Sequence, residues 1–165
     1  MEYRRLGKSG LRVSALSYGS WVTFSFQLDK QKAKKAMKHA YDSGINFFDN
    51  AEVYAAGESE KIMGDALKEL GLGRDTYTVS SKVFFGGQAV TQRGLNAKHV
   101  RDGCDAALKR LKLDYLDLFF CHRPDFHTPV EETVRAMDVL IKQGKILYWG
   151  TSEWPADRIR EAYLI

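Results

Sequence analysis

The sequence predicts an α/β fold in which helices cover a parallel sheet. Candidate strands begin near residues 15, 45, 76, 115 and 146, so one strand–helix unit recurs about every 30 residues. A helical pattern follows each of these strands. Residues 115–121 are nearly all apolar, which is typical of a strand buried on both faces of a parallel sheet. Regular alternation of strands and helices favours this architecture.

The first part of the chain is expected to form a hairpin, a short strand and a helix. Residues 4–6 and 11–13 flank a glycine-bearing turn, which is the pattern of a β-hairpin. A short strand follows at residues 15–19. Asp29 is expected to cap the first helix at its start, and Gly44 is expected to end it.

The next two units repeat the pattern. Residues 45–49 form a short apolar run that turns polar at Asp49, as a strand leaving the core would do. Ser59 is expected to cap the helix that follows. Residues 76–81 form the next strand, which leads to Lys82.

The last two units contain a clear helix start. Thr128 is expected to be the N-cap, Pro129 the first helical residue and Glu131 the acid of a capping box. Residues 146–150 form the fifth strand of the repeat, and Pro155 is expected to open a final helix.

Composition limits the function classes. The chain has 165 residues, of which 44% are hydrophobic, enough for one domain with a real core. The net charge is +4, and a lysine cluster at residues 30–38 is compatible with nucleic-acid binding. Acidic residues spread through the chain favour a solvated helix face instead. No apolar run approaches membrane-spanning length and no secretory h-region is visible, so a cytoplasmic protein without membrane insertion is expected.

The two cysteines show no metal-binding spacing. Cys104 falls on the apolar face of a helix, and Cys121 falls in a strand. Both are expected to be buried thiols rather than a disulfide, and no metal site is expected.

Polar residues follow the predicted strands at the points where the strands end. These are Asp49 with Tyr54, Lys82, His122, and Ser152 with Glu153. A doubly wound sheet and a (β/α)₈ barrel share this alternation, and active sites of parallel barrels lie at the carboxyl ends of the strands. No Gly-x-Gly-x-x-Gly sequence follows any strand, so the main signature of a dinucleotide-binding doubly wound fold is absent.

Each of these residues also has a structural interpretation. Asp49 could serve as a loop residue, Tyr54 as a packing residue, Lys82 as a solvated side chain and His122 as a structural histidine. Their coincidence at one face of one sheet favours a site. A phenol is a weak acid, and a nearby cation favours its anion. Lys82 would therefore activate Tyr54, Asp49 would hold Lys82, and His122 would orient a carbonyl group that accepts the proton.

Several segments resemble the aldo-keto reductases. Residues 48–54 (FDNAEVY), the pair Ser81-Lys82 and residues 121–124 (CHRP) are similar to the catalytic segments of that family. Its tetrad of aspartate, tyrosine, lysine and histidine matches residues that the strand ends already single out: Asp49, Tyr54, Lys82 and His122. Four further segments resemble the branch that contains the voltage-gated potassium-channel β subunits and their microbial relatives: residues 19–24, 84–87, 128–137 and 148–152.

The resemblance implies a (β/α)₈ (TIM) barrel that uses NADPH without a Rossmann fold. It implies NADPH-dependent reduction of a small aldehyde or ketone, with Tyr54 as the general acid. A hydride donor is needed because side chains cannot supply one. The implied contacts with NADPH or NADP+ are Ser20, Trp21, Gln27, Asp49, Ser152 and Glu153. The family further implies a homo-oligomer, a tetramer.

Two other functions remain open at this point. The chain could be a regulatory protein like the channel β subunits, with an ion channel as partner and the reductase site as a redox sensor. His122 favours the enzyme, because animal channel subunits tend to carry asparagine at that position. Glu153 departs from the arginine that often follows the family's serine, so its contact with the cofactor is less well supported. The third alternative is an inactive fragment.

The length departs from the family pattern. The family barrel has eight βα units, and residues 1–165 cover a hairpin and about five of them. We therefore expect a single domain that is the N-terminal half of such a barrel, with the hairpin closing its bottom. The missing half would carry the aromatic residue that stacks on the nicotinamide and the loop that binds the 2′-phosphate. An open sheet edge and an apolar inner face would remain uncovered.

Overall fold

A five-stranded parallel sheet is the centre of the computed structural model, which describes every residue from Met1 to Ile165. The strands lie side by side in chain order, so each crossover joins immediate neighbours. Their bounds are β3 Tyr18–Gly19, β4 Phe47–Asp49, β5 Thr78–Val83, β6 Leu116–Cys121 and β7 Ile146–Thr151. The predicted parallel α/β sheet is confirmed, although β3 and β4 are shorter than the sequence indicated.

The N-terminal hairpin consists of β1 (Tyr3–Arg5) and β2 (Arg12–Ser14), which pair antiparallel as predicted. It is attached beside the start of β4. The Asn46 side-chain oxygen accepts the Ser14 backbone N–H at 2.7 Å, and the Tyr3 hydroxyl donates to the Gly44 carbonyl at 2.8 Å. The hairpin thus lies at the amino ends of the strands, opposite to the end where the polar residues gather.

Five helices connect or follow the strands. They are α1 Lys30–Asp42, α2 Glu58–Leu70, α3 Ala97–Leu111, α4 Val130–Lys142 and α5 Ala156–Leu164. Short 3₁₀ turns occur at Tyr54–Gly57, Arg74–Thr76 and Val90–Gln92. None of the helices combines the length and the apolar character that crossing a bilayer requires.

The core lies between the helices and one face of the sheet. Fully buried side chains from the strands include Phe48, Val79 and Phe119, and the helices contribute Met63 and Met137 among others. Both cysteines are buried free thiols, as predicted. Burial raises the pKa of the Cys104 and Cys121 thiols to about 12, so neither is a reactive thiolate near neutral pH.

The predicted helix starts are partly right. The Asp29 side chain accepts the Lys32 backbone N–H at 2.9 Å, as an N-cap should. Ser59, in contrast, does not cap α2, because the preceding turn continues into the helix through Gly57, whose φ is 89°. Ser59 therefore lies inside the first helical turn, and its buried hydroxyl has no hydrogen-bond partner.

The predicted capping box of α4 is wrong by one residue. Pro129 occupies the N-cap position and the helix begins at Val130. Thr128 instead donates its hydroxyl to the Asp125 carboxylate at 2.8 Å, so a neighbouring loop acid captures the group that was expected to cap the helix. Pro155 does precede the last helix, which begins at Ala156.

Gly64 lets α2 and α3 approach closely. A Cβ atom at this position would lie 2.5 Å from the Leu111 carbonyl oxygen, which belongs to the backbone and cannot rotate away. We expect Gly64→Ala to destabilise the protein by about 1–3 kcal/mol, although alanine is the better helix former. Thermal unfolding should show a lower Tm, since each kcal/mol shifts Tm by about 2–4 °C in a chain of this size.

A matched control is Gly10→Ala, because no heavy atom lies within 4 Å of the added Cβ there. This control should leave the Tm nearly unchanged. A Gly64→Ala protein that is as stable as the Gly10→Ala protein would contradict the close helix contact.

Candidate active site

The carboxyl ends of three strands bring the predicted tetrad to one edge of the sheet. Asp49 is the last residue of β4, and Tyr54 begins the turn that follows it. Lys82 lies near the end of β5, and His122 comes directly after β6. Parallel strands end on the same side of a sheet, so residues up to 73 positions apart become neighbours.

The ammonium group of Lys82 is the centre of this cluster. Its Nζ atom donates to Asp49 Oδ2 at 2.7 Å, to the Asn50 carbonyl at 2.8 Å and to the Tyr54 hydroxyl at 3.0 Å. The Lys82 side chain is 12% exposed, so these oxygens replace most of its water. The arrangement holds the Tyr54 hydroxyl directly against the Lys82 ammonium group.

Two serines hold Asp49 in place. The Ser80 hydroxyl donates to Asp49 Oδ1 at 2.6 Å, which leaves Oδ2 for Lys82. The buried Ser20 hydroxyl donates to the Asp49 backbone carbonyl at 2.9 Å. Sequence analysis did not single out Ser80, although a serine pair directly before Lys82 in a buried strand is the signal that could have identified it.

His122 lies beside Tyr54 and is neutral near pH 7. Its ring packs edge-on against the rings of Tyr54 and Phe85, with centroids 5.9 Å and 5.2 Å apart. Burial, reinforced by the nearby charges of Lys82 and Arg123, lowers the pKa of His122 to about 4. The buried Nδ1 atom has no hydrogen-bond partner. His122 can therefore act as a neutral hydrogen-bonding group, but it is a poor proton donor at neutral pH.

Only some of the predicted cofactor residues lie beside the tetrad with a side chain that is free to bind a ligand. Trp21 is 67% exposed and its ring stacks against Tyr54 with centroids 6.3 Å apart. Ser152 is half-buried directly after β7, and Gln27 is exposed. The Ser20 hydroxyl is already bound to Asp49, so it is not free to bind a ligand. The Glu153 carboxylate lies 3.0 Å from the Arg123 guanidinium. The backbone of Glu153 has a positive φ of 56°.

These positions fit a nicotinamide cofactor at its reactive end. The exposed face of Trp21 offers a flat apolar surface beside the Tyr54 ring, and the neutral ring of His122 lies on another side of Tyr54. Glu153 does not fit a phosphate contact, because its carboxylate carries the wrong charge.

An apolar recess adjoins the Tyr54 ring. It is lined by seven hydrophobic side chains: Trp21, Val22, Phe26, Val53, Tyr54, Ala55 and Ala56. The two alanines adopt left-handed backbone angles, with φ of 50° and 52°. This conformation costs a non-glycine residue about 1–2 kcal/mol, so the turn after Tyr54 is strained where the recess opens.

The chain also matches a known family. The model described as "Aldo/keto reductase family" matches residues 15–164. The chain belongs to the aldo/keto reductase family. The parallel sheet and its helices therefore form part of this family's barrel, and the resemblance found in the sequence is confirmed.

Two plant proteins are similar over nearly the whole chain. One from Oryza sativa subsp. japonica is 55% identical over 165 residues, which is 100% of this chain and 50% of that protein. Another from Arabidopsis thaliana is 55% identical over 163 residues, 99% of this chain and 50% of that protein. Both are described as "Probable voltage-gated potassium channel subunit beta". The aldo/keto reductase chain thus spans about half the length of the curated relatives it matches.

The neutral state of His122 can be tested by titration. We expect the His122 ring resonances to stay constant from about pH 8 to about pH 5, with a midpoint near pH 4 in the folded protein. In the urea-unfolded chain the same ring should titrate near 6.5. The unfolded state therefore binds more protons between these values, and the contribution of His122 to the free energy of unfolding falls as the pH drops through that window.

The matched variant is His122→Gln, which removes the titration but keeps a polar side chain. Its stability should decline less between about pH 6.5 and about pH 4 than that of the wild type. A His122 midpoint near 6.5 in the folded protein would show that the ring is neither desolvated nor close to Lys82.

Proposed function

We propose that the complete protein is a cytoplasmic reductase that converts an aldehyde or ketone to an alcohol with NADPH, with Tyr54 as general acid. The observation that carries this proposal is the 3.0 Å contact between Lys82 Nζ and the Tyr54 hydroxyl. Membership of the aldo/keto reductase family supports it. The relatives are twice as long, so the proposal concerns the complete protein rather than residues 1–165 alone.

The residues would divide the reaction as follows. NADPH, when bound, supplies the hydride that reduces the carbonyl carbon and leaves as NADP+. Tyr54 gives its hydroxyl proton to the carbonyl oxygen, and Lys82 stabilises the phenolate that results. Asp49 holds the Lys82 ammonium group in place. Neutral His122 hydrogen-bonds the carbonyl oxygen and orients it, after which solvent returns a proton to Tyr54.

The cofactor contacts are proposed on the same basis. Trp21 and Ser152 lie at the edge where Tyr54 is held, and Asp49 is part of the Lys82 cluster. Ser20 acts through the Asp49 backbone, and Gln27 is exposed and available. Glu153 is the least suitable of the six, because it faces Arg123 and is negatively charged. A homotetramer is the oligomer that the family resemblance implies.

The second candidate is a regulatory channel β subunit whose reductase site senses redox state. The printed descriptions of the two plant relatives favour it. His122 favours the enzyme instead, because a neutral imidazole beside Tyr54 can donate a hydrogen bond to a carbonyl group. NADPH oxidation by the complete protein with a panel of aldehydes separates the two. Turnover supports the reductase, and cofactor binding without turnover of any carbonyl compound supports the sensor.

Tyr54→Phe keeps the ring and removes the proton that the reaction needs. We expect carbonyl reduction to fall by about 10²–10⁴-fold, while stability and NADPH binding survive. The matched control is Tyr41→Phe, which also removes a tyrosine hydroxyl hydrogen bond, that to Thr76 at 2.8 Å, but far from the cluster. The control should reduce aldehydes at the wild-type rate. An undiminished rate in Tyr54→Phe would show that Tyr54 is a packing residue and not the general acid.

Lys82→Met removes the cation that favours the phenolate. We expect a slower reaction and a changed pH–rate profile, since Tyr54 loses the charge beside its hydroxyl. Both substitutions act on the same proton, so the double variant should lose much less than the product of the separate losses. Fully multiplicative losses would show that the two residues act independently.

Residues 1–165 should bind NADPH far more weakly than the complete protein. The resemblance implies that the residues for nicotinamide stacking and for the 2′-phosphate lie outside them. Fluorescence titration should show at least a tenfold difference in Kd, which corresponds to about 1.4 kcal/mol. Equal affinities would mean that the cofactor site is complete in this half of the barrel.

A further inference from the structure

A buried carboxylate joins two loops of the proposed site. Glu52 lies between Asp49 and Tyr54 in the loop after β4 and is 9% exposed. One of its oxygens, Oε1, accepts the backbone N–H of Phe84 at 2.6 Å and that of Gly86 at 2.9 Å. The loop that carries Tyr54 is thereby tied to the loop that follows β5.

A buried histidine completes this connection. His99 lies in the first turn of α3 and is 3% exposed. Its Nε2 atom lies 3.3 Å from Glu52 Oε2, and its Nδ1 atom lies 2.8 Å from the Gly94 carbonyl. Both neighbours are acceptors, so both ring nitrogens carry protons and the ring is an imidazolium.

Glu52 and His99 each stabilise the charged form of the other. Burial by itself opposes both charges, but the contact with Glu52 and the Gly94 carbonyl together raise the pKa of His99. In the same way, His99 and the two backbone N–H groups outweigh burial and lower the pKa of Glu52. Both shifts favour the charged forms of the pair.

Two glycines leave room for the pair. A Cβ atom at Gly103 would lie 3.3 Å from Glu52 Oε2, and one at Gly86 would lie 2.7 Å from His99 Nε2. The second glycine also has a positive φ of 39°. Side chains at these positions would meet the Gln92 carbonyl and Val83 first, and they would also press on the pair.

The loop that the pair holds reaches the tetrad. Phe85 lies between the two backbone groups that Glu52 binds, and its ring packs edge-on against His122 at 5.2 Å. We infer that Glu52 and His99 are positioning residues that hold Phe85 against His122 and thereby orient the imidazole toward the substrate carbonyl. This inference rests on the proposed reductase function.

The other charges near the pair and near His122 are few. Asp102 faces His99 from the next turn of α3, where Lys98 already pairs with it. Glu60 faces Glu52 from α2 and is bound to Arg110 and Ser81. Around His122 the charged groups are Lys82, Arg123, Asp49 and Glu52. Asp102 and Glu60 each have another ion-pair partner, so Glu52 is the carboxylate that His99 contacts directly.

The first test compares two substitutions of Glu52 in the complete protein. Glu52→Ala removes the acceptor, so kcat should fall on the order of 10- to 100-fold with little change in NADPH Kd. Glu52→Gln should recover most of the activity, because the amide oxygen can accept from Phe84 and Gly86. Its amide N–H can donate to a neutral His99 ring. An unaltered kcat in Glu52→Ala would overturn the inference.

The second readout is independent of activity. The Phe85 ring current shifts the NMR resonances of the His122 ring protons, because the two rings are 5.2 Å apart. These resonances and the Phe85–His122 NOE should change in Glu52→Ala. Both should return to their wild-type values in Glu52→Gln. The matched control is Glu60→Ala, which removes another buried carboxylate from an ion pair without touching the loop after β5. It should lower the Tm but leave the His122 resonances unchanged. Equal shifts in both alanine variants would indicate a merely structural role.

The third readout uses pH and serves even if Glu52→Ala does not fold. As the pH rises through the raised pKa of His99, the ring keeps its proton on Nδ1 and turns a lone pair toward the Glu52 carboxylate. The loop is then released, so wild-type His122 resonances and kcat should change together, over the same pH interval in which the His99 ring loses its proton. Glu52→Gln should lack this change, and its persistence there would overturn the inference. If the wild type reduces no carbonyl compound, the proposed function fails, and the NMR readouts alone decide the inference.

Discussion

The partly buried ammonium group of Lys82 is the constraint on which the site depends. A charge removed from water costs several kcal/mol unless it is paired and hydrogen-bonded. Asp49, the Asn50 carbonyl and the Tyr54 hydroxyl provide three acceptors for its three N–H groups. They arrive together only when β4 and β5 pair in the observed register, with Asp49 opposite Ser80. A slip of one residue would turn Lys82 to the helical side of the sheet.

The carboxylates of buried Glu52 and half-buried Asp125 then connect the loops around this charge. Glu52 binds backbone N–H groups of the loop after β5, and Asp125, in the loop after β6, binds the Leu95 N–H at 2.8 Å. Loop backbone groups that leave the sheet have no strand partner, and a carboxylate that accepts from them satisfies them strongly. The loops that carry Tyr54, Phe85 and His122 thus form one connected unit rather than three independent segments.

The far edge of the sheet is open beyond β7. An apolar groove lies there between α4 and α5, and Trp149, Ile141 and Ile159 are among the residues that line it. This uncovered edge agrees with the open sheet edge that was expected of an incomplete barrel. It also agrees with the length of the plant relatives, of which the chain covers 50%.

The sequence by itself determined the repeat of strand and helix, the polar strand ends and the family, because these depend on local periodicity and on short motifs. Asp29 caps its helix as predicted, because its hydrogen-bond partner, the Lys32 N–H, is only three residues away in the sequence. Tertiary structure decided the rest. Asp125 captured Thr128, and Glu52 found His99, a partner 47 positions away that no periodic pattern marks. Such pairings arise only when the crossovers bring separate loops together in a buried space, where most polar groups have a partner.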